Sequence, residues 1–184
     1  VFEMTKKTIL NEKEIEIILH RLACQLIENH GDFQDTILIG LQPRGIFLCN
    51  RLVGILEKEY KIKKILHGKL DITFYRDDFR RRAPIEANRT EIDFLVEDKK
   101  IVFVDDVLYS GRSTRAALTA IQAFGRPKKI ELLVLIDRRF SRHLPIQPDY
   151  RGRQVDVINF EQVKVDWKEN GKTDAVYIEE KIQT

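Results

Sequence analysis

The sequence predicts an α/β fold, a doubly wound and mostly parallel sheet, and three observations carry that expectation. Short unbroken apolar runs at 36–40 (TILIG), 100–104 (KIVFV) and 130–136 have the length and composition of strands buried on both faces. Segments of helical period alternate with them, at 11–30, 45–60 and 115–124. The strands are too far apart in sequence for hairpins, so helical crossovers must join them.

Each element has its own justification. Over 11–30, Ile15, Ile18, Leu19, Leu22, Leu26 and Ile27 share one helical face, and Asn11 followed by Glu14 reads as a capping box, with Gly31 as the stop. TILIG then leads through a short loop into the helical stretch 45–60. Residues 69–75 alternate β-branched and aromatic side chains and read as a strand, followed by a charged segment, 76–82, expected to be a mobile loop or hairpin. KIVFV is the next strand, 115–124 the next helix, closed by Gly125-Arg126-Pro127, and 130–136 a further strand. The tail 155–184 is expected to add strands or a hood.

With 184 residues and no linker, repeat or low-complexity tract, a single domain over 1–184 is expected. Hydrophobic and charged fractions of 43% and 33% exclude disorder as the default. No apolar stretch approaches 18 residues and no signal-peptide pattern opens the chain, so a soluble cytoplasmic protein is expected, with no membrane partner. Cys24 and Cys49 lie in helical apolar runs, which predicts buried thiols. His20, His30, His67 and His143 are scattered, predicting surface or capping roles and no protein metal site. Net charge is only +3, but basic residues crowd 61–89 and 126–153, and such local fields draw polyphosphates or nucleic acid.

The chemistry concentrates in VFVDDVLYSGRST at 102–114. An apolar strand that ends in two acids is unusual. Asp105 and Asp106 leave the core together, and adjacent carboxylates can accept hydrogen bonds from the two vicinal hydroxyls of a ribose. Val107 and Leu108 lead on to Tyr109, Ser110, Gly111, Arg112, Ser113 and Thr114, whose backbone N–H groups open a helix, an arrangement suited to a phosphate. The competing reading makes the acids a helix cap and the Gly-Ser run a plain turn. Neither the Walker lysine nor the three-glycine dinucleotide pattern is present.

Hydrophobic residues, Asp-Asp and a small-residue loop resemble the phosphoribosyl pyrophosphate motif of type I phosphoribosyltransferases, and VDDVLYSGRSTRAAL resembles the version found in the PyrR family. The likeness extends to LQPRGIFL around Arg44, DITFYRDD from Asp71, GRPKKIELLVLIDR through Arg138 and HLPIQPDYRG from His143. It implies a small C-terminal hood and a flexible loop on the predicted fold, and transfer of uracil onto phosphoribosyl pyrophosphate to give UMP, with magnesium held by the substrate. Pro43 and Arg44 would line the pyrophosphate site, Arg76 and Arg138 would meet leaving-group charge, Tyr150 would stack on the base, and the backbone near Arg151 or Val163 would read its edge. Asp105, Asp106 and Arg76 would carry catalysis. Packing or surface salt bridges are the competing roles for the arginines and Tyr150.

The resemblance also implies a UMP-responsive RNA-binding attenuator acting on pyrimidine-operon leader RNA, with Arg21, Arg142 and Arg151 placed to meet phosphates, and self-association into a homodimer or larger homo-oligomer. The HRLACQL stretch, with His20 and Cys24, differs from the TRIAHEM pattern of RNA-binding members. A regulator with little or no catalysis and a purine phosphoribosyltransferase are the alternatives.

Overall fold

The computed structural model describes residues 2–76, 89–157 and 161–183. Its strands and helices are β1 (Phe2–Leu10), α1 (Glu12–His30), β2 (Thr36–Leu41), α2 (Gly45–Lys58), β3 (Leu66–Leu70), β4 (Lys100–Leu108), α3 (Arg112–Ile121), β5 (Lys129–Arg139), β6 (Tyr150–Asp156), β7 (Glu161–Asp166) and β8 (Ala175–Gln183). Five strands form a parallel sheet in the order β3-β2-β4-β5-β6. The other three form a separate antiparallel sheet, β1-β8-β7.

The pleat of the parallel sheet divides the core in two. On β4, Val102 and Val104 face the side covered by α1 and α2, while Ile101 and Phe103 face the side covered by α3. Ile37, Ile39 and Leu41 of β2 join Phe103, and Leu38 joins Val102. Each fully buried aliphatic side chain contributes about 1.5–3 kcal/mol of transfer free energy, so the sheet interior is the main source of cohesion. The antiparallel hood joins the first cluster through Leu10, Val165, Trp167 and Val176.

The expected capping box is present: Glu14 N donates to Asn11 Oδ1 at 3.0 Å and Asn11 N to Glu14 Oε2 at 2.8 Å. Other expectations need correction. The strand read at 69–75 ends at Leu70, because Asp71 turns the chain: its Oδ1 accepts from Thr73 N at 2.9 Å and from Thr73 Oγ1 at 2.5 Å, and a short 3₁₀ turn follows at Thr73–Tyr75. Cys49 is buried, but Cys24 is exposed and its Sγ lies 3.1 Å from the Tyr60 hydroxyl. The charged loop expected at 76–82 lies, after Arg76, outside the described residues. No helix among the described residues is long and apolar enough to cross a membrane.

The topology fixes where a ligand can bind. From β2 the chain runs outward to β3, then returns to the other side of β2 as β4. The loops leaving the carboxyl ends of β2 and β4 therefore part, and the crevice between them is the switch point where doubly wound sheets bind ligands.

Candidate active site

Two loops meet at this crevice. After β2, Gln42, Pro43 and Arg44 lead into α2, and Gln42 is anchored by N to Leu70 O at 3.0 Å and by Nε2 to Arg89 O at 2.6 Å. Gly45 makes the approach possible: a Cβ there would lie 2.2 Å from Val104 O and 3.0 Å from Asp105 Cα. Only glycine lets the start of α2 touch the strand that carries the acids.

Asp105 and Asp106 lie within β4, which continues past them to Leu108 while still paired with β5, so the strand does not stop at the acids as its apolar run suggested. Asp105 Oδ1 accepts from Asp106 N at 2.9 Å, and Asp106 Oδ2 is buried with no hydrogen-bond partner among the described residues. Burial, and then the neighbouring Asp106 carboxylate, hold the Asp105 carboxyl well above its ordinary range, against the pull of the Arg76 guanidinium. Burial raises Asp106 as well, opposed by Arg44. Arg44 from the first loop and Arg76 from beyond β3 thus sit within electrostatic reach of the acids. Such a pair, short of partners in the free protein, is suited to accept ligand hydroxyls or a hydrated cation.

Gly111, at φ +91°, ends the second loop and caps α3, and Arg112 N at the start of that helix lies 3.5 Å from Ser110 Oγ. Ser110 and Thr114 are buried, Ser113 and Arg112 are half-buried, and Tyr109 is exposed. The loop is braced from outside: His143 N and Leu144 N donate to Ser110 O at 3.0 and 3.2 Å, Arg142 Nη1 donates to Tyr109 O, and Arg142 Nη2 pairs with buried Asp137. This brace was not legible as part of the site. Asp137, a carboxylate at the end of an apolar run, was its one signal.

Arg138 closes the rim beside β4. Its guanidinium lies 4.2 Å from the Tyr109 ring centroid, its Nη2 donates to Glu161 O at 3.3 Å, and its Nε is buried with no partner among the described residues. Val163 lies two residues further along β7, half-buried against the core. The structure therefore brings together Arg44, Arg76, Asp105, Asp106, the 109–114 loop and Arg138, with the start of the hood beside them.

Tyr150 is not among them. It pairs in register with Leu133, and its buried hydroxyl lies 3.0 Å from both Glu131 Oε2 and His30 Nε2, below the rim and against the end of α1. His30 completes this network with Nδ1 at 2.9 Å from Thr36 Oγ1, so it is an internal anchor, not a surface or cap residue. No group of three His, Cys, Asp or Glu side chains suited to a metal occurs among the described residues.

The model of the phosphoribosyl transferase domain matches residues 5–169. Among solved structures, the hypoxanthine phosphoribosyltransferase of Trypanosoma cruzi superposes with a TM-score of 0.71 at 14% identity, covering 96% of this chain and 97% of that one. One from Staphylococcus aureus gives 0.67 at 17% identity, covering 92% and 90%. These share the fold. Similarity in sequence is much higher to proteins named "Bifunctional protein PyrR": 46% identity over 157 residues with that of Gloeothece citriformis, 85% of this chain and 88% of the relative, and 42% over 179 residues with that of Desulfosudis oleivorans, 96% and 98%. The chain belongs to the phosphoribosyl transferase domain family and, within it, to the PyrR proteins.

Proposed function

We propose that the chain is a uracil phosphoribosyltransferase, displacing pyrophosphate from C1 of phosphoribosyl pyrophosphate by uracil N1 to give UMP. The observation that carries this reading is the Asp105–Asp106 pair on β4, directly ahead of the 109–114 loop and α3, with Arg44 and Arg76 acting on its charge. The acids accept the ribose 2′ and 3′ hydroxyls, and the loop N–H groups with Ser110, Ser113 and Thr114 take the 5′-phosphate. Pro43, Arg44 and Arg76 line the pyrophosphate side. The C1–O bond breaks as the C1–N1 bond forms, pyrophosphate leaves with the electron pair of the broken bond, and the proton from N1 passes to solvent. The sugar gains positive charge on the way, which the carboxylates favour electrostatically.

Magnesium, when bound with the donor, neutralises pyrophosphate charge. Asp106 Oδ2, which lacks a partner among the described residues, and the Asp105 carboxyl fit such an ion's hydration shell. Arg138 and the backbone near Val163 border the base position, and the choice of uracil rests on the likeness of DITFYRDD and LIDR to PyrR proteins. The test is nucleotide formation from uracil, hypoxanthine, guanine and orotate, with phosphoribosyl pyrophosphate and magnesium. Uracil turning over alone is expected; preferred use of a purine would replace this reading with the purine one. Relatives are named bifunctional, and we assign the second role to UMP-responsive attenuation through leader RNA.

A further inference from the structure

Arg51 lies in the second turn of α2, away from the rim, yet it makes four hydrogen bonds to the hood. Its Nε and Nη2 donate to Glu169 Oε1 and Oε2 at 2.8 and 2.6 Å, and its Nη1 and Nη2 to Asp174 Oδ2 and Oδ1 at 2.6 and 2.8 Å. Two carboxylates thus fill four of the five guanidinium N–H donors. The guanidinium carbon also lies 4.6 Å from the ring centroid of Trp167, a fully buried side chain that plugs the hood into the core. Asp174 is itself buried and fixed a second time, its Oδ1 accepting from Lys168 N at 2.8 Å. All three partners belong to the connection between β7 and β8.

This clasp has a lever attached. β7 runs from Glu161 to Asp166, so one end adjoins the clasp while at the other the Glu161 carbonyl accepts from Arg138 Nη2 at 3.3 Å on the rim. At about 3.3 Å per residue the strand is roughly 17 Å long, so a tilt of about 5° at the clasp displaces Glu161 by about 1.5 Å. Misplacement by about 1 Å can cost on the order of a hundredfold in rate. At its other end, the helix that bears Arg51 carries the Arg44 loop and touches β4 through Gly45. The guanidinium therefore sets the angle of the hood against the helix that begins at the leaving-group side.

We infer that Arg51 is a positioning residue for the base: by clasping Glu169 and Asp174 it fixes the hood on α2 and so places the Glu161–Val163 edge of β7 over the rim. The inference rests on the proposed reading that the rim binds the phosphoribosyl donor and that this edge meets the base. A lysine keeps the charge but cannot make the fork. In Arg51→Lys, the KM for the base is expected to rise on the order of tenfold or more, while the KM for phosphoribosyl pyrophosphate stays within about twofold, well below the melting temperature. Lys168→Ala, which removes the exposed side-chain ion pair with Glu12 and keeps the backbone N–H that holds Asp174, is expected to move neither constant by more than about twofold.

A clasp that only stabilises the fold would lower the melting temperature and leave both constants alone, or raise them equally; either result overturns the inference. Should Arg51→Lys not fold, Glu169→Gln leaves the Asp174 half intact and must show the same split in smaller measure. The base used is whichever the wild-type protein accepts in the panel above. Failure with uracil there overturns the uracil reading and leaves Arg51 to be judged on the split alone.

Discussion

The guanidinium of Arg138 lies over the ring of Tyr109 at 4.2 Å, joining the end of β5 to the first residue of the 109–114 loop. Arg138 is only 7% exposed, and burial pulls its pKa below the ordinary range; a guanidinium keeps its charge in proteins. A desolvated cation on an aromatic face is worth roughly 0.5–2 kcal/mol. Tyr109→Phe, which keeps the ring, is expected to retain most of kcat/KM, and Tyr109→Ala to lose roughly 2- to 30-fold. Equal kinetics for the two variants would mean that the stack does not hold the site.

The two acids should cost stability in the free protein. Asp105 has a folded pKa above its unfolded one, so between these values the folded state binds more protons, and stability falls as pH rises through that window. Asp105→Asn removes the cost. Its melting temperature is expected to exceed wild type at pH 7.5 by a few degrees, about 2–4 °C for each kcal/mol, and the gain should shrink towards pH 4. Asp105→Asn with Asp106→Asn should abolish nucleotide formation while the protein stays folded. Scanning calorimetry across pH, beside the activity assay, checks both outcomes.

What the sequence made legible follows from how local each signal is. The apolar run into Asp105–Asp106, the glycine loop and the Asn11–Glu14 box are contained in a few residues each, and the structure reproduces them. β1 gave no signal, because its sequence FEMTKKTIL becomes a strand only by pairing with β8, in the register Phe2 to Gln183, almost the whole chain away. The Arg51 clasp, and the contacts of 142–144 with Tyr109 and Ser110, are likewise made by residues distant in sequence. The sequence offers Tyr150 stacking or packing and His30 a surface or capping role; their surroundings, set by β5 and α1, place both in one buried network.

Tyr150 therefore predicts a separation of stability from catalysis. Its hydroxyl adds to a buried His30–Glu131 contact of 2.8 Å that survives Tyr150→Phe, so the substitution loses buried hydrogen bonds worth about 0.5–1.5 kcal/mol each without stranding either partner. Denaturant unfolding is expected to show that loss with the base KM unchanged. A raised base KM with wild-type stability would restore the stacking role.

The RNA role turns on which arginines are available. Arg21 donates to the carbonyls of Arg151 and Gly152, and Arg142 is committed to buried Asp137 and to Tyr109 O. Arg139 and Arg151, with side chains 48% and 51% exposed, pair with Asp156 and, at 3.4 Å, with Asp137. The Arg139–Asp156 pair is exposed on both sides and worth about 0–1 kcal/mol, so Arg139 can turn to a phosphate at little cost; Arg151 can turn too while Arg142 stays on buried Asp137, whereas freeing Arg142 would leave that carboxylate only the longer contacts to Arg151 and Gln154. Charge of this kind gives binding that any RNA satisfies and that salt weakens. Attenuation needs more: a preference for leader RNA on the order of 10³-fold over scrambled RNA, at about 0.15 M salt, strengthened by UMP. We expect that selectivity in the wild-type protein. Arg151→Ala should weaken leader and scrambled RNA alike and flatten the dependence of log K on log salt by about one phosphate contact. Titration of both RNAs with and without UMP decides the matter, and equal affinity for the two at that salt would leave the transferase as the chain's one supported activity.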